Sequence, residues 1–238
     1  MNEKIKSELA PGGTLRVGLN MGNFLLVGKD ASGKVHGIVP DLAQELAARL
    51  GARATFLEYP SAGPVADAAA SGAWDVAFIG AEPQRAAVIA FMPAYVEIPA
   101  TYLVPPGSPI RALAEVDRPG VRVATAARSA YDLYLSRNLK HAELVRAEGI
   151  PASYDLFVRE KLDVLSGLLP RLTQDVQRLP GARILEGRFT AIQQAIGTPR
   201  ARAAGAAFLE TFVAEIKASG LVARLIERHA VKGIAPAA

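Results

Sequence analysis

The chain has 238 residues, half of them hydrophobic and 21% charged, with a net charge of +4. That is an ordinary globular composition, long enough for one large or two small domains with a sizeable core. Cysteine is absent, which excludes disulfides, thiolate catalysis and cysteine-ligated zinc; scattered basic residues and sparse aromatics argue against a nucleic-acid groove, and no apolar run approaches the ~20 residues that span a bilayer.

The N-terminus, MNEKIKSELAPGG, lacks the apolar core of a signal peptide. The expectation is an exported protein if a signal has been removed and a cytoplasmic one otherwise. Residues 4–9 suit a short helix before the turn at Pro11-Gly12-Gly13. Residues 14–19 alternate as a first strand, and its exit carries two amides, Asn20 and Asn23. These fit hydrogen bonds to a ligand or plain turn chemistry, and both readings stay open. Residues 30–34 form a hairpin-type turn between 24–28 and 35–38. A helix entered at Pro40-Asp41 buries Leu42, Ala43, Leu46, Ala47 and Leu50 on one face and stops at Gly51. After the strand 53–57, the exit at 58–61 offers Tyr59 and Ser61 as candidate contacts. A short helix at 65–71 leads past Trp74, expected in the core, into a buried strand at 76–79.

The stretch GAEPQRAAVIAFMPAY, residues 80–95, follows that strand. Pro83 suits the first turn of a helix. Arg85 then falls near the strand's carboxyl end, where open α/β sheets bind ligands. A guanidinium there is a two-pronged donor for carboxylate or phosphate; the bland alternative is a surface arginine. Residues 95–104 read as an extended crossing segment, and the proline-rich 105–109 as the entry to a second lobe. There, a short helix at 112–116 precedes a strand at 121–125. Its exit, Ala126-Ala127-Arg128-Ser129, precedes a helix at 130–138. Ser129 can cap that helix, whose N-terminus is also a ready anion site. Strand–helix units follow at 143–146 with 152–159 and at 162–165 with 167–177, then strands at 183–186 and 190–196. The last region, 199–229, reads as two helices broken at Ser219-Gly220, followed by a loose tail.

Residues 80–95 resemble the "G…T-P-E-R…F-S-x-P-Y" segment of the bacterial extracellular solute-binding proteins of family 3, the polar-amino-acid receptors of ABC importers. The opening LRVGLNMGNFLLVGKDASGKVHGIVPDL is similar to that family's first strand, ligand loop and helix start. Residues 121–132, 162–168 and 190–197 fall in the family's order, so the resemblance covers about 14–230. It implies an α/β, two-lobe periplasmic-binding-protein-like fold of type II. One lobe would take 1–102 plus 195–238 and the other 103–194, with a ligand cleft between them and a two-strand hinge that closes on the solute.

The resemblance further implies that Arg85 holds a ligand carboxylate and that Ser129 supplies donors from the second lobe; backbone N–H groups at Gly80 and Ala81 could assist. It departs from this chain at several positions. Glu82 stands where the family usually has Thr, and Arg128 where it has Gly. Asn23 replaces a frequent aromatic and Asn20 a frequent Asp. Leu168 falls where relatives carry the Asp that pairs with a ligand amino group, and only Glu97, Glu58 or Glu82, approaching from another strand, could replace it. An unpaired ammonium in a closed cleft is costly, so the expectation is a small anionic solute, with Arg85 and Arg128 as two anchors for a di-acid, or else Arg128 paired with Glu82. No cofactor and no metal are expected. The partners implied are a small anionic or zwitterionic solute and an importer's permease, with no nucleic acid and no membrane insertion, and the receptor is expected to be a monomer.

Signatures of common enzymes are missing: there is no HExxH, GxSxG, P-loop or GxGxxG. His36, His141 and His229 are far apart in polar surroundings and are expected at the surface. The enzyme alternative is a cyclohexadienyl or arogenate dehydratase, which resembles these binders and needs a carboxyl general acid. Glu97 or Glu82 could serve. A third reading is a ligand-sensing protein without a transporter.

Overall fold

A computed structural model describes residues 2–238. The chain opens with α1 (Glu3–Leu9), capped by the Asn2 side chain, and enters β1 (Thr14–Asn20). A small hairpin, β2 (Gly28–Lys29) and β3 (Val35–His36), is narrower than its sequence suggests. Its turn is fixed by Asp30, whose Oδ1 accepts from the Ser32 N–H and hydroxyl and from the Lys34 N–H. Next comes α2 (Ile38–Leu50), with Leu42, Ala43, Leu46, Ala47 and Leu50 buried as the periodicity requires. Gly37 precedes it at φ 126°, and a Cβ there would lie 2.5 Å from the Leu26 carbonyl oxygen, so no other residue fits this entry.

β4 (Arg53–Tyr59) follows. α3 (Ala62–Asp67) starts three residues earlier than 65–71, because Pro64 is tolerated in a first turn, and the chain is already in turns by Ala69. β5 (Val76–Gly80) is buried along its whole length. Pro83 does not open an α-helix. One 3₁₀ turn, Arg85–Ala87, is followed at once by β6 (Ile89–Val104), since the β-branched and aromatic residues after Val88 favour an extended chain.

Beyond a 3₁₀ turn at Leu113–Glu115 come β7 (Arg122–Ala126), α4 (Ala130–Asn138), β8 (Glu143–Ala147), α5 (Ile150–Arg159), β9 (Val164–Leu168), α6 (Leu169–Asp175) and β10 (Arg183–Ile184). β11 (Thr190–Pro199), α7 (Ala203–Ala218), α8 (Leu221–Arg228) and β12 (Ala235–Pro236) complete the chain.

Packing divides the chain into Met1–Glu97 with Gln193–Ala238, and Ile98–Ile192. In the first unit β1 lies parallel to β4 and β5, and β11 runs antiparallel to β5 with Gln194 opposite Gly80. Tyr59, Asn20 and Gly80 therefore end their strands on one edge. Trp74 is fully buried with Val65, Ala77, Ile79 and Ile89, and its indole N–H donates to the Val65 carbonyl at 2.9 Å. Asp75, also fully buried, binds the backbone N–H and guanidinium of Arg16 at 2.7–3.0 Å and the guanidinium of Arg202. That pairing holds the Arg16 guanidinium's pKa above its ordinary value.

In the second unit β9 lies between antiparallel β6 and parallel β7, and β8 pairs with the far side of β7. Alternate residues serve two cores. Val123 and Val164 pack with Tyr102, Val116 and Leu135, whereas Ala124 and Leu165 pack with Leu103, Tyr154 and Phe157. Ala126, Ala147 and Leu168 end the parallel strands on one edge.

Candidate binding site

The carboxyl edge of the first unit is shaped by close backbone contact. The Met21 N–H donates to the Tyr59 carbonyl at 2.9 Å, and a Cβ on Gly22 would come within 2.8 Å of the Pro60 carbonyl oxygen. The loop after β1 is thereby laid against the exit of β4. Asn20 Oδ1 accepts from the Gly22 N–H at 3.1 Å, which is the turn chemistry left open above. Asn23 differs: it is buried, and its Oδ1 meets no donor. Ser61 stands at the N-cap of α3 without bonding the helix through its side chain.

Arg85 is 4% exposed, not a surface arginine. Its Nη1 donates to the Gly80 carbonyl at 2.6 Å, and its N–H to the Glu82 carbonyl at 2.9 Å. The 3₁₀ turn thus folds the guanidinium back onto the end of β5. Glu82 is itself buried. The Ala81 N–H, expected above to assist a ligand carboxylate, is engaged by the Gln193 carbonyl at 2.8 Å. One residue escaped the sequence reading. Gln194, opposite Gly80, is 5% exposed and its Oε1 has no donor. In the sequence it is one of two adjacent glutamines in a strand, and only the register reveals where it lies.

At the carboxyl edge of the second unit, Ser129 Oγ accepts from the Asp132 N–H at 3.1 Å and caps α4. Arg128 has φ 58°, the left-handed region that a glycine would occupy without strain. Its N–H is pinned by Asp132 Oδ2 at 2.8 Å, and Asp132 is buried and paired with Arg146 at 3.0 Å. Thr125 Oγ1 is buried without a partner, and burial raises the Tyr131 pKa well above its ordinary value, offset in part by its interaction with Ser129. Leu168 closes β9 as a buried apolar residue.

Several polar groups have other duties. Glu97 accepts from Gln193 Nε2 at 3.0 Å, and Glu58 pairs with Lys29 at 2.7 Å. His36 and His141 are exposed. His229 is not a surface residue as expected: its ring is half-buried, with Nε2 2.9 Å from Asp41 Oδ2, tying the end of α8 to the start of α2. Among the described residues no group of His, Asp and Glu is placed to hold a metal ion, and no helix is long and apolar enough to cross a membrane.

Two α/β units joined by two crossings, each with its polar loops at the carboxyl ends of parallel strands, define the two-lobe fold of the periplasmic binding proteins. The family model of the bacterial extracellular solute-binding proteins, family 3, matches residues 15–232, and the chain belongs to that family. Solved structures agree over nearly the whole chain. A mutant of ArgBP from T. maritima is 22% identical with a TM-score of 0.77, covering 94% of this chain and 98% of its own. The ABC-transporter binding component from Wolinella succinogenes complexed with lysine is also 22% identical, with a TM-score of 0.77, over 91% and 95%. An ancestral amino acid-binding protein, a precursor of cyclohexadienyl dehydratase, is 20% identical at 0.77, over 93% and 97%. At such identities the likeness is one of fold. No curated protein sequence matches the chain.

Proposed function

We propose that the protein is the solute receptor of an ABC-type importer, capturing a small carboxylate-bearing solute, an amino acid or organic acid, by hinge closure. The observation that carries this reading is the buried Arg85 guanidinium, held at the end of β5 by the Gly80 carbonyl. An arginine removed from water and fixed in direction is suited to a planar carboxylate, and its donors are worth most where solvent is excluded. Ser129 and the first turn of α4 add hydroxyl and N–H donors from the second unit, and Arg128 brings a further positive charge. Ser61 is a further candidate contact at the edge of the first unit. The family's extracellular members and the lysine-bound relative support a small solute. The same reading places the receptor in the periplasm, working as a monomer with a membrane permease.

Thermal unfolding against a panel of amino acids, keto acids and di-acids tests this. A ligand at 100 times its Kd adds about 2.7 kcal/mol, which Arg85→Ala is expected to abolish. Stabilisation that survives Arg85→Ala would sink the assignment. A second reading, dehydration of prephenate or arogenate, is favoured by Glu82, a buried acidic residue at the start of the turn that carries Arg85, and by the likeness to a dehydratase precursor. Aromatic product appearing by absorbance, and lost in Glu82→Gln, would establish it instead.

A further inference from the structure

Hinge closure needs a place where the crossing chain bends, and the pairings of β6 bear on it. β12 lies antiparallel to β6, with Ala235 opposite Glu97 and Pro236 opposite Val96, and the Ala237 N–H donates to the Tyr95 carbonyl at 3.1 Å. From Ala100 to Leu103 the same strand is paired with β9 instead. Ile98 and Pro99 fall between these two pairings, and Pro99 has no N–H to give to a neighbour. The division of the packing falls at the same place, between Glu97 and Ile98. The returning crossing is fastened there too. Gln193, the first residue of the returning piece, donates through Nε2 to Glu97 at 3.0 Å, and its carbonyl accepts from the Ala81 N–H at 2.8 Å.

A two-residue strand such as β12 does not hold by its ladder alone. It is anchored by the buried Ala237 and by Lys217 on α7, whose ammonium donates to the Ala238 carbonyl. A paired stretch of strand gives up ladder bonds to bend, whereas a short break between two pairings absorbs the change in φ and ψ, as hinge residues do. We infer that β12 is a hinge brace. It stiffens the crossing strand as far as Glu97, confines bending to Ile98 and Pro99, and so narrows the orientations that the unliganded protein samples. Less freedom is then lost on closing, and a larger fraction of the molecules is already competent to close, which lowers the apparent Kd. The tail strand is thereby a determinant of affinity that need not touch the solute.

The inference rests on the closing-receptor reading, and its test has one arm that needs no solute. The chain has no cysteine, so Gln174→Cys on α6 and Glu210→Cys on α7, both exposed positions, carry a single pair of spin labels. Pulsed electron–electron resonance then reads the spread of the distance between the labels in the unliganded protein. Ending the chain after Lys232 is expected to broaden that spread. Ala237→Pro, which takes away the N–H given to Tyr95, should broaden it less, and it decides by the same readings where the shortened chain does not fold. Calorimetry with arginine, glutamate and glutarate as probes should show a Kd raised roughly threefold to tenfold in the shortened chain. A spread as narrow in both variants as in the parent overturns the brace and leaves the receptor standing. So does a broadened spread with affinity unchanged or tightened. If no probe binds the parent, the receptor reading falls, and the label distances decide the brace by themselves.

Discussion

Arg128 and Asp75 illustrate two ways in which a single residue sets local energetics. An L-residue in the left-handed region costs about 1–2 kcal/mol, and Arg128 holds that conformation at φ 58° because Asp132 fixes its N–H. Arg128→Gly removes the strain but adds chain entropy to the unfolded state. The net expectation is a melting point equal to or slightly above the parent's, by up to about 1 kcal/mol in chemical denaturation. A clear loss of stability would mean that the side chain's contacts outweigh the strain. Asp75→Ala is the opposite case. It would leave Arg16 and Arg202 beside a buried void without their shared carboxylate. Both arginines keep some solvent, so the expected loss is about 3 kcal/mol, at the lower end for breaking a buried pair. Urea denaturation of the two variants measures both numbers. Gln194 marks the limit of sequence reading at this scale. A glutamine in a strand carries no signal of its own, and only the pairing with Gly80 shows that it lies at the end of β5. The place of Arg85 at the end of β5 was legible, since proline and arginine just past a buried apolar strand restrict where the guanidinium can go.

At the scale of elements, hydrophobic period located most strands and helices, and the misplacements have local causes. The helix written as 65–71 begins at Ala62 because Pro64 is as acceptable in a first turn as outside one. Pro83 suggested a helix, but strand-forming residues from Ile89 onward take the chain into β6 after one 3₁₀ turn. The entry to α2 depends on a single position. At Gly37, φ 126° and a Cβ position 2.5 Å from the Leu26 oxygen combine torsional strain with a backbone clash. Gly37→Ala is expected to cost about 3 kcal/mol or more, seen as a lowered denaturant midpoint. A loss under about 1 kcal/mol would show that the hairpin can shift. A different element boundary predicts a pH effect. Asp117 accepts from the N–H groups of Lys140, His141 and Ala142 ahead of β8. These bonds hold its pKa below the ordinary value. A depressed carboxyl contributes stability above its unfolded pKa, about 4, and loses it as pH falls through the folded value. Asp117→Asn should therefore melt below the parent at pH 7, with the gap closing under about pH 4. A gap that does not change with pH would assign the loss to geometry rather than charge.

For the whole molecule, what matters is that one unit is a continuous stretch of chain and the other is not. Ile98–Ile192 contains both of its hydrophobic clusters outright: every residue packed around Val123 and Val164, and every residue packed around Ala124 and Leu165, lies within that stretch. Its strand pairings among β6, β7, β8, β9 and β10 fall largely inside it as well. A piece of this length can bury a core of its own. The first unit differs, because β11, α7 and α8 return to it after the excursion, and Asp75 draws Arg202 from that returning segment. The expected result is that residues 98–192, expressed alone, unfold cooperatively, with a sharp thermal transition and a retained near-ultraviolet signal from Tyr102, Tyr131 and Tyr154. Residues 1–97 alone should show no such transition, since β5 loses its β11 neighbour and Asp75 loses one of its two arginines. A molten 98–192 fragment with secondary structure but no cooperative melt would contradict this, and would mean that the segment's own packing is insufficient without the rest of the chain.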